Sequence, residues 1–200
     1  AESNNAAQSI VVSAPDLVVT NLVSDKSTPL TGELITLTWE DINTGTVALT
    51  TGWFDRIRVT NQNTGALLVN QQLRFDPPSG VSIAVGQSIT RSFSFNLTEG
   101  NSGVGNLLIQ VSADQNTGGI GSVAEVNAIG TAETNNTASL NVTSTLALYP
   151  DLVVSDVTPV PVAGWLPGES VTVSWKTQNA GNRASSGSWT ETLRVRNLTT

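Results

Sequence analysis

The sequence predicts an all-β chain of tandem antiparallel β-sandwiches, and three observations predict it. A segment of about 135 residues repeats, which signals an array of like modules. Apolar and polar residues alternate over stretches of strand length. Gly, Pro and Asn gather between those stretches, and no run has convincing helical spacing.

The repeat opens on PDLVV, at 15–19 and again at 150–154, a period of 135 residues. Gly32-Glu33 follows the first copy and Gly168-Glu169 the second. LTWEDINTG at 37–45 then answers to VSWKTQNAG at 173–181, now 136 residues apart. Trp53, Arg58, Val59 and Asn61 recur as Trp189, Arg194, Val195 and Asn197. AESNN at 1–5 matches AETNN at 132–136. The expected organisation is therefore the tail (last strand) of a preceding repeat at 1–14, a complete sandwich at 15–149, and the first strands of an incomplete repeat at 150–200. With no Met in it, the chain reads as a processed or excised stretch of a longer polypeptide.

Each strand has its own warrant. Residues 15–23 are the first. In 33–40, Ile35, Leu37 and Trp39 share one face, with Thr36 and Thr38 opposite. The second copy repeats this with Val171, Val173 and Trp175. Trp53, Ile57 and Val59 share a face, with Arg56, Arg58 and Thr60 opposite. Asn63-Thr64-Gly65 is a turn, returning the chain through 66–73. Residues 87–97 turn Ile89, Phe93, Phe95 and Leu97 inward. Residues 106–114 do so with Leu107, Ile109, Val111 and Ala113. A last strand at 137–148 contains Leu140 and Val142. Seven strands in this order fit an immunoglobulin- or fibronectin-III-like sandwich. In the third piece, 150–200 is expected to hold three strands and to leave Val171, Val173, Trp175, Leu193 and Val195 exposed. The stretch from 136 to 150 has neither Gly nor interior Pro, which predicts a semi-rigid junction rather than a flexible linker.

Composition narrows function. Charged residues are 12% of the chain, about half the usual share, and the net charge is −7. An acidic chain argues against nucleic acid, which needs a basic face. No apolar run is long enough for direct membrane insertion by a helix. Abundant Thr and Asn with little Lys resembles secreted bacterial surface proteins.

PDLVV, the Gly-Glu that follows, the Asn-x-Gly after the next strand, and a closing Asp…Val…Glu…Glu-x-Asn-Asn segment together resemble the CARDB domain, the bacterial cell-adhesion-related module. The matching residues are 15–19, Gly32, Asn43 with Gly45, Asp114, Val123, Glu125, Glu133, Asn135 and Asn136. The closing stretch 115–132 is expanded relative to the family, and the loop 76–86 is long. The resemblance implies an Ig-like sandwich used as a repeat in large secreted or surface proteins.

Candidate sites follow from the residue types present. Without His or Cys, Ser-His-Asp and Cys-His catalysis and ordinary zinc sites have no residues to use. Glu40 and Asp41 are adjacent carboxylates, but Lys176 and Thr177 stand there in the second copy, so no active site is expected. Calcium suits oxygen ligands. Asp114, Asn116, Glu125, Glu133, Asn135 and the next module's Asp151 are expected near one end of the sandwich, where a cation would stiffen a junction. The alternative is that these residues make and cap a turn. Trp39, Trp175, Trp53 and Trp189 are expected in cores. Trp165, in a loop, could pack on a neighbouring module or stack on a sugar.

The expected function is a non-enzymatic structural or adhesive repeat module of a large secreted or surface-anchored protein, a stalk or fibre. Its partners would be neighbouring repeats, with self-association through strand edges. The alternative is a glycan- or protein-binding accessory module of a secreted enzyme.

Overall fold

The computed structural model describes residues 13–78 and 83–198. The expected tail strand at 1–14 therefore lies almost wholly outside the described residues. Nine strands are described, in chain order: β1 (Leu17–Ser24), β2 (Leu34–Asn43), β3 (Trp53–Asn61), β4 (Leu67–Phe75), β5 (Ser88–Asn96), β6 (Gly105–Ser112), β7 (Thr137–Ser144), β8 (Leu152–Val160) and β9 (Thr172–Asn179). A short 3-10 turn at Gly100–Gly103 leads into β6. Among the described residues no helix is long and apolar enough to cross a membrane. The chain divides into two compact units, Ala1–Ala147 and Leu148–Thr200.

The first unit is an antiparallel sandwich. One sheet has the order β1-β2-β5, the other β4-β3-β6-β7. Strict alternation drives the packing, because period-two side chains put every second residue on one face. Leu17, Val19, Ile35, Leu37, Trp39 and Phe95 from the first sheet meet Trp53, Ile57, Val59, Leu107, Ile109 and Val111 from the second in a single core. Trp39 and Trp53 are fully buried there. The all-β sandwich expectation and the inward faces of 33–40, 53–61 and 106–114 hold residue for residue.

The last strand is shorter than expected. β7 pairs with β6 only from Thr137 to Ser144, because β6 begins at Gly105. Beyond Ser144 the chain changes partner. Thr145 forms a parallel bridge with Leu30, and Ala147 N donates to Thr31 Oγ1.

The second unit corrects one expectation. Among the described residues from 150 to 198 there are two strands, not three: β8 and β9 form a two-stranded sheet, and 189–198 is not a strand. The physical reason is visible in the first unit. There β3 hydrogen-bonds to β4 and β6 and to neither β1 nor β2. Among the described residues of the second unit only β8 and β9 pair, so the segment 189–197 has no strand of that kind to join. The apolar residues expected to be exposed are so at Trp175, Leu193 and Val195, while Val171 and Val173 are half-buried.

Candidate functional site

The repeated motifs prove to be one backbone device, built alike in both units apart from one bond to Ile83 that the first unit alone makes. Buried Asn43 accepts from Asp16 N (3.2 Å) and Gly45 N (3.1 Å) on Oδ1. Its Nδ2 donates to the carbonyls of Val47 (2.8 Å) and Ile83 (3.0 Å). Thr44 N donates to Asp16 O at 2.7 Å, and Thr46 N to Ala14 O at 2.9 Å. Gly45 is required by space, since a Cβ there would stand 2.4 Å from Ala14 O. In the second unit Asn179 Oδ1 takes Asp151 N (2.9 Å) and Gly181 N (3.0 Å), and Asn179 Nδ2 donates to Arg183 O (2.7 Å). Ala180 N donates to Asp151 O at 2.6 Å, and a Cβ on Gly181 would stand 2.3 Å from Tyr149 O. The Asn side chain acts as a spare peptide group that ties the start of each module to the end of its second strand.

The other repeated features coincide too. Glu33 Oε2 accepts from Leu30 N, and Glu169 Oε2 from Leu166 N. Gly32 and Gly168 sit at φ 81° and 88°, where a side chain would be strained. The bulge in β1 places Asn21 at φ 54°, and that in β8 places Asp156 at the same value.

The residues proposed as calcium ligands are distributed along the closing segment. The Asp114 carboxylate accepts from Ser122 N, Ser122 Oγ and Val123 N, within 2.9–3.1 Å. Asn116 Oδ1 accepts from Gly118 N and Ile120 N. Buried Glu125 accepts from Leu17 N on Oε1 and from Asn136 Nδ2 on Oε2, both at 2.5 Å. Burial pushes its carboxyl up to about 7. Glu133 Oε1 accepts from Glu125 N. Asn135 Nδ2 donates to Asp16 Oδ1, while Asp16 Oδ2 takes Asn127 Nδ2 and Thr44 Oγ1. Glu125 and Glu133 are thus brought together, Asn135 reaches them through Asp16 and Asn136, and Asp114 and Asn116 organise the loop before them. Asp151 belongs to the second unit. Among the described residues no group of three or more Asp or Glu is gathered to hold a metal ion. In this segment, among the described residues, the buried side-chain oxygens that no donor meets are Asn135 Oδ1 and Asn136 Oδ1. A cation drawing on Asp114 and Glu125 would have to compete with the N–H groups they already accept.

Sequence reasoning missed a charged cluster between the sheets. Arg91 shares the inward parity of Ile89, Phe93 and Phe95, and Asp41 and Asp55 share that of Trp39 and Trp53. Arg91 Nε donates to Asp55 Oδ2 at 2.8 Å, its Nη2 donates to Leu73 O at 3.0 Å, and its guanidinium lies 5.2 Å above the Phe75 ring. Trp53 Nε1 donates to Asp55 Oδ1 at 2.8 Å. Asp41 Oδ2 stands 3.6 Å from Arg91 Nε, beyond hydrogen-bond reach. One guanidinium faces two carboxyls. Burial, then the charge of Asp55, pushes the Asp41 carboxyl up to about 9, so Asp41 is neutral at pH 7. Burial raises Asp55 as well, opposed by Arg91. Both carboxyls are fully enclosed, so the pair has no access to a substrate. Glu40 lies on the other face of β2, bonded to Asn21 and Ser88, so Glu40 and Asp41 never act as a pair.

In the second unit Glu191 takes the place of Asp55. It accepts from Trp175 Nε1 (2.6 Å), Thr177 Oγ1 (2.5 Å) and Trp189 Nε1 (3.3 Å). These donors hold its carboxyl below the usual range. It lines an open cavity of about 340 Å³ with Leu152, Val154, Trp175 and Trp189. Trp165 lies in a loop, 45% exposed, and donates from Nε1 to Pro161 O at 2.7 Å.

Neither a protein-family model nor a curated protein matches the chain. Among solved structures, it is similar to the CARDB domain of the PF1109 protein from Pyrococcus furiosus, which was crystallised in complex with di-metal ions. That match has 19% identity and a TM-score of 0.46, covering 69% of this chain and 100% of that one. A solution structure of the same domain matches at 20% identity and TM-score 0.44, covering 66% and 97%. The sporulation control protein Spo0M from Bacillus subtilis matches at 14% identity and TM-score 0.38, covering 64% and 49%.

Proposed function

We propose that the chain is a structural, adhesive repeat of CARDB kind from a large secreted or surface-anchored bacterial protein, and that its task is mechanical. The observation that carries this reading is the duplicated Asn-x-Gly clamp. A device that ties the start of each unit to the end of its second strand by backbone and side-chain hydrogen bonds serves load along the chain and transforms no substrate. In the first unit the closing segment adds to the same end, through Glu125 on Leu17 and Asn135 on Asp16. The buried carboxylates are committed to the fold, which supports a non-enzymatic role. Short junctions between such modules would transmit orientation, and edge-to-edge strand addition would give lateral association.

The test is the mass of the polypeptide from its source, by denaturing gel and mass spectrometry. A mass far above 20.9 kDa supports the array. A mass near that value overturns it. Calcium at the closing end is a separate proposal. It rests on the unmet oxygens of Asn135 and Asn136 beside Glu125, and calcium-dependent melting tests it.

A further inference from the structure

The outer face of the four-stranded sheet carries a charge pair that the fold does not use. Arg56 and Arg58 are two apart on β3, so both project from the face opposite Ile57 and Val59. β3 lies inside its sheet, between β4 and β6. Arg58 is flanked by Asn70 on β4 and Gln110 on β6, and Arg56 by Gln72 and Ser112. Among the described residues no carboxylate pairs with them. Among the described residues the ion pairs are those of Arg74 with Asp76 and of Arg91 with Asp41 and Asp55. Arg56 Nε donates to the neutral Asn70 Oδ1. Arg58 Nε is buried and meets no acceptor among the described residues.

This is costly in a chain with net charge −7, where carboxylates outnumber cations 16 to 9. Like charges on neighbouring same-face positions repel, and a buried guanidinium N–H without an acceptor loses its hydration for nothing. Arg58 recurs as Arg194; Thr192 stands where Arg56 does, and Arg196 stands where Thr60 does, so the second copy carries two arginines two residues further along. Two planar forks on a flat face suit paired carboxylates. The amides of Gln72 and Gln110 and the hydroxyls around them suit a ligand rich in hydroxyl groups. The loop at 117–119 walls one end: Thr117 N donates to Gln72 Oε1, and a Cβ on Gly119 would stand 3.0 Å from Arg56 Nη1.

The geometry points to a binding face for a uronic-acid polysaccharide, whose carboxylates pair with Arg56 and Arg58 and whose hydroxyls meet the flanking amides. A polymer of this kind would engage the same strand in successive modules, gaining affinity by multivalency. In a stalk, this face would anchor the rod in an acidic extracellular matrix.

The test is titration of the full chain with sodium polygalacturonate at low salt, with neutral dextran as control. Saturable binding to polygalacturonate alone is expected. Arg56→Gln/Arg58→Gln should weaken it about tenfold or more, the scale of two lost charge-assisted contacts. Lys26→Gln/Lys176→Gln removes the same charge elsewhere and should change it less than about twofold. Arg58→Lys keeps the charge, loses the fork and should also weaken binding, so the conclusion does not depend on the double variant folding. No saturable binding, equal losses in the two double variants, or polyglutamate binding as tightly as polygalacturonate would each overturn the proposal.

Discussion

The two units open on similar sequence, and the carboxylate below their tryptophans shows what the packing of later strands does in the first. In the first unit Asp55 is sealed between sheets, held by Trp53 and Arg91. In the second, Glu191 is open and held by two indoles and Thr177. Turns, bulge and most of the clamp form in both units, because nearly all their hydrogen bonds join residues in or beside the first two strands; the bond from Asn43 to Ile83 is the exception. The third strand forms in only one, because its ladders are to β4 and β6. Local devices belong to the first fifty residues of a module. The core belongs to all of it.

The comparison is broken most severely at Arg91. Arg91→Ala should destabilise the first unit by about 3–5 kcal/mol, because it strands Asp55 in a buried site with no cation. Glu191→Ala, at the open counterpart of that site, should leave the melting of the first unit unchanged. Urea unfolding followed by the buried tryptophans reads both variants. Comparable losses would contradict the view that the packing of later strands, rather than motif, seals the cluster.

Gly45→Ala tests the clamp itself. A Cβ meets backbone within 2.6 Å on three atoms, so a loss on the order of 2 kcal/mol is expected. Gly181→Ala should instead raise amide exchange at Asp151 and Ala180 without changing the first unit's melting, because the same hydrogen bonds are broken there locally.

Acidity sharpens the difference further. The folded Asp41 holds its proton up to about 9, against 3.8 ordinarily, so the folded state binds more protons than the unfolded one across that window. The resulting stability is fully present below pH 3.8 and is lost as pH rises toward 9. Glu125 acts in the same direction between 4.5 and about 7. The first unit should melt lower at pH 9 than at pH 5, by roughly 5 °C or more. Asp41→Asn should remove most of that slope. Thr177 already fills the equivalent position with a neutral group, so no matching slope should come from the second unit. A flat profile in the wild type would contradict a neutral Asp41.

Calcium should have the smallest effect. The calcium proposal expects a rise in Tm with millimolar Ca2+ that Asp114→Ala abolishes. Without added metal, Asp114→Ala should still cost about 1–3 kcal/mol, since Ser122 and Val123 N–H groups lose their acceptor. No shift with Ca2+ removes the calcium proposal and leaves that cost in place.

Much of the architecture was legible because alternation is a strong signal wherever a strand has one buried face. Ile35, Leu37, Trp39, Leu107, Ile109 and Val111 were readable one by one. The repeat also pointed to the clamp, since Asn43 and Gly45 recur as Asn179 and Gly181. Arg91 escaped because a charged residue at an inward position reads as a break in the apolar pattern. Only the simultaneous inward parity of Asp41 and Asp55 would have shown that it had partners. The third strand of the second unit was misjudged because a strand's own pattern does not reveal whether other strands pair with it. The closing segment 113–136 has no periodicity to read: its order comes from side chains such as Asp114, Asn116 and Asn127 bonding to backbone and to one another.

Extension of the polypeptide from its source by single-molecule force spectroscopy tests the central claim most directly, that both units are copies of one module. The account predicts a series of equal unfolding steps, each releasing about 135 residues or roughly 45 nm of chain. A single step, or steps of unrelated lengths, would contradict it.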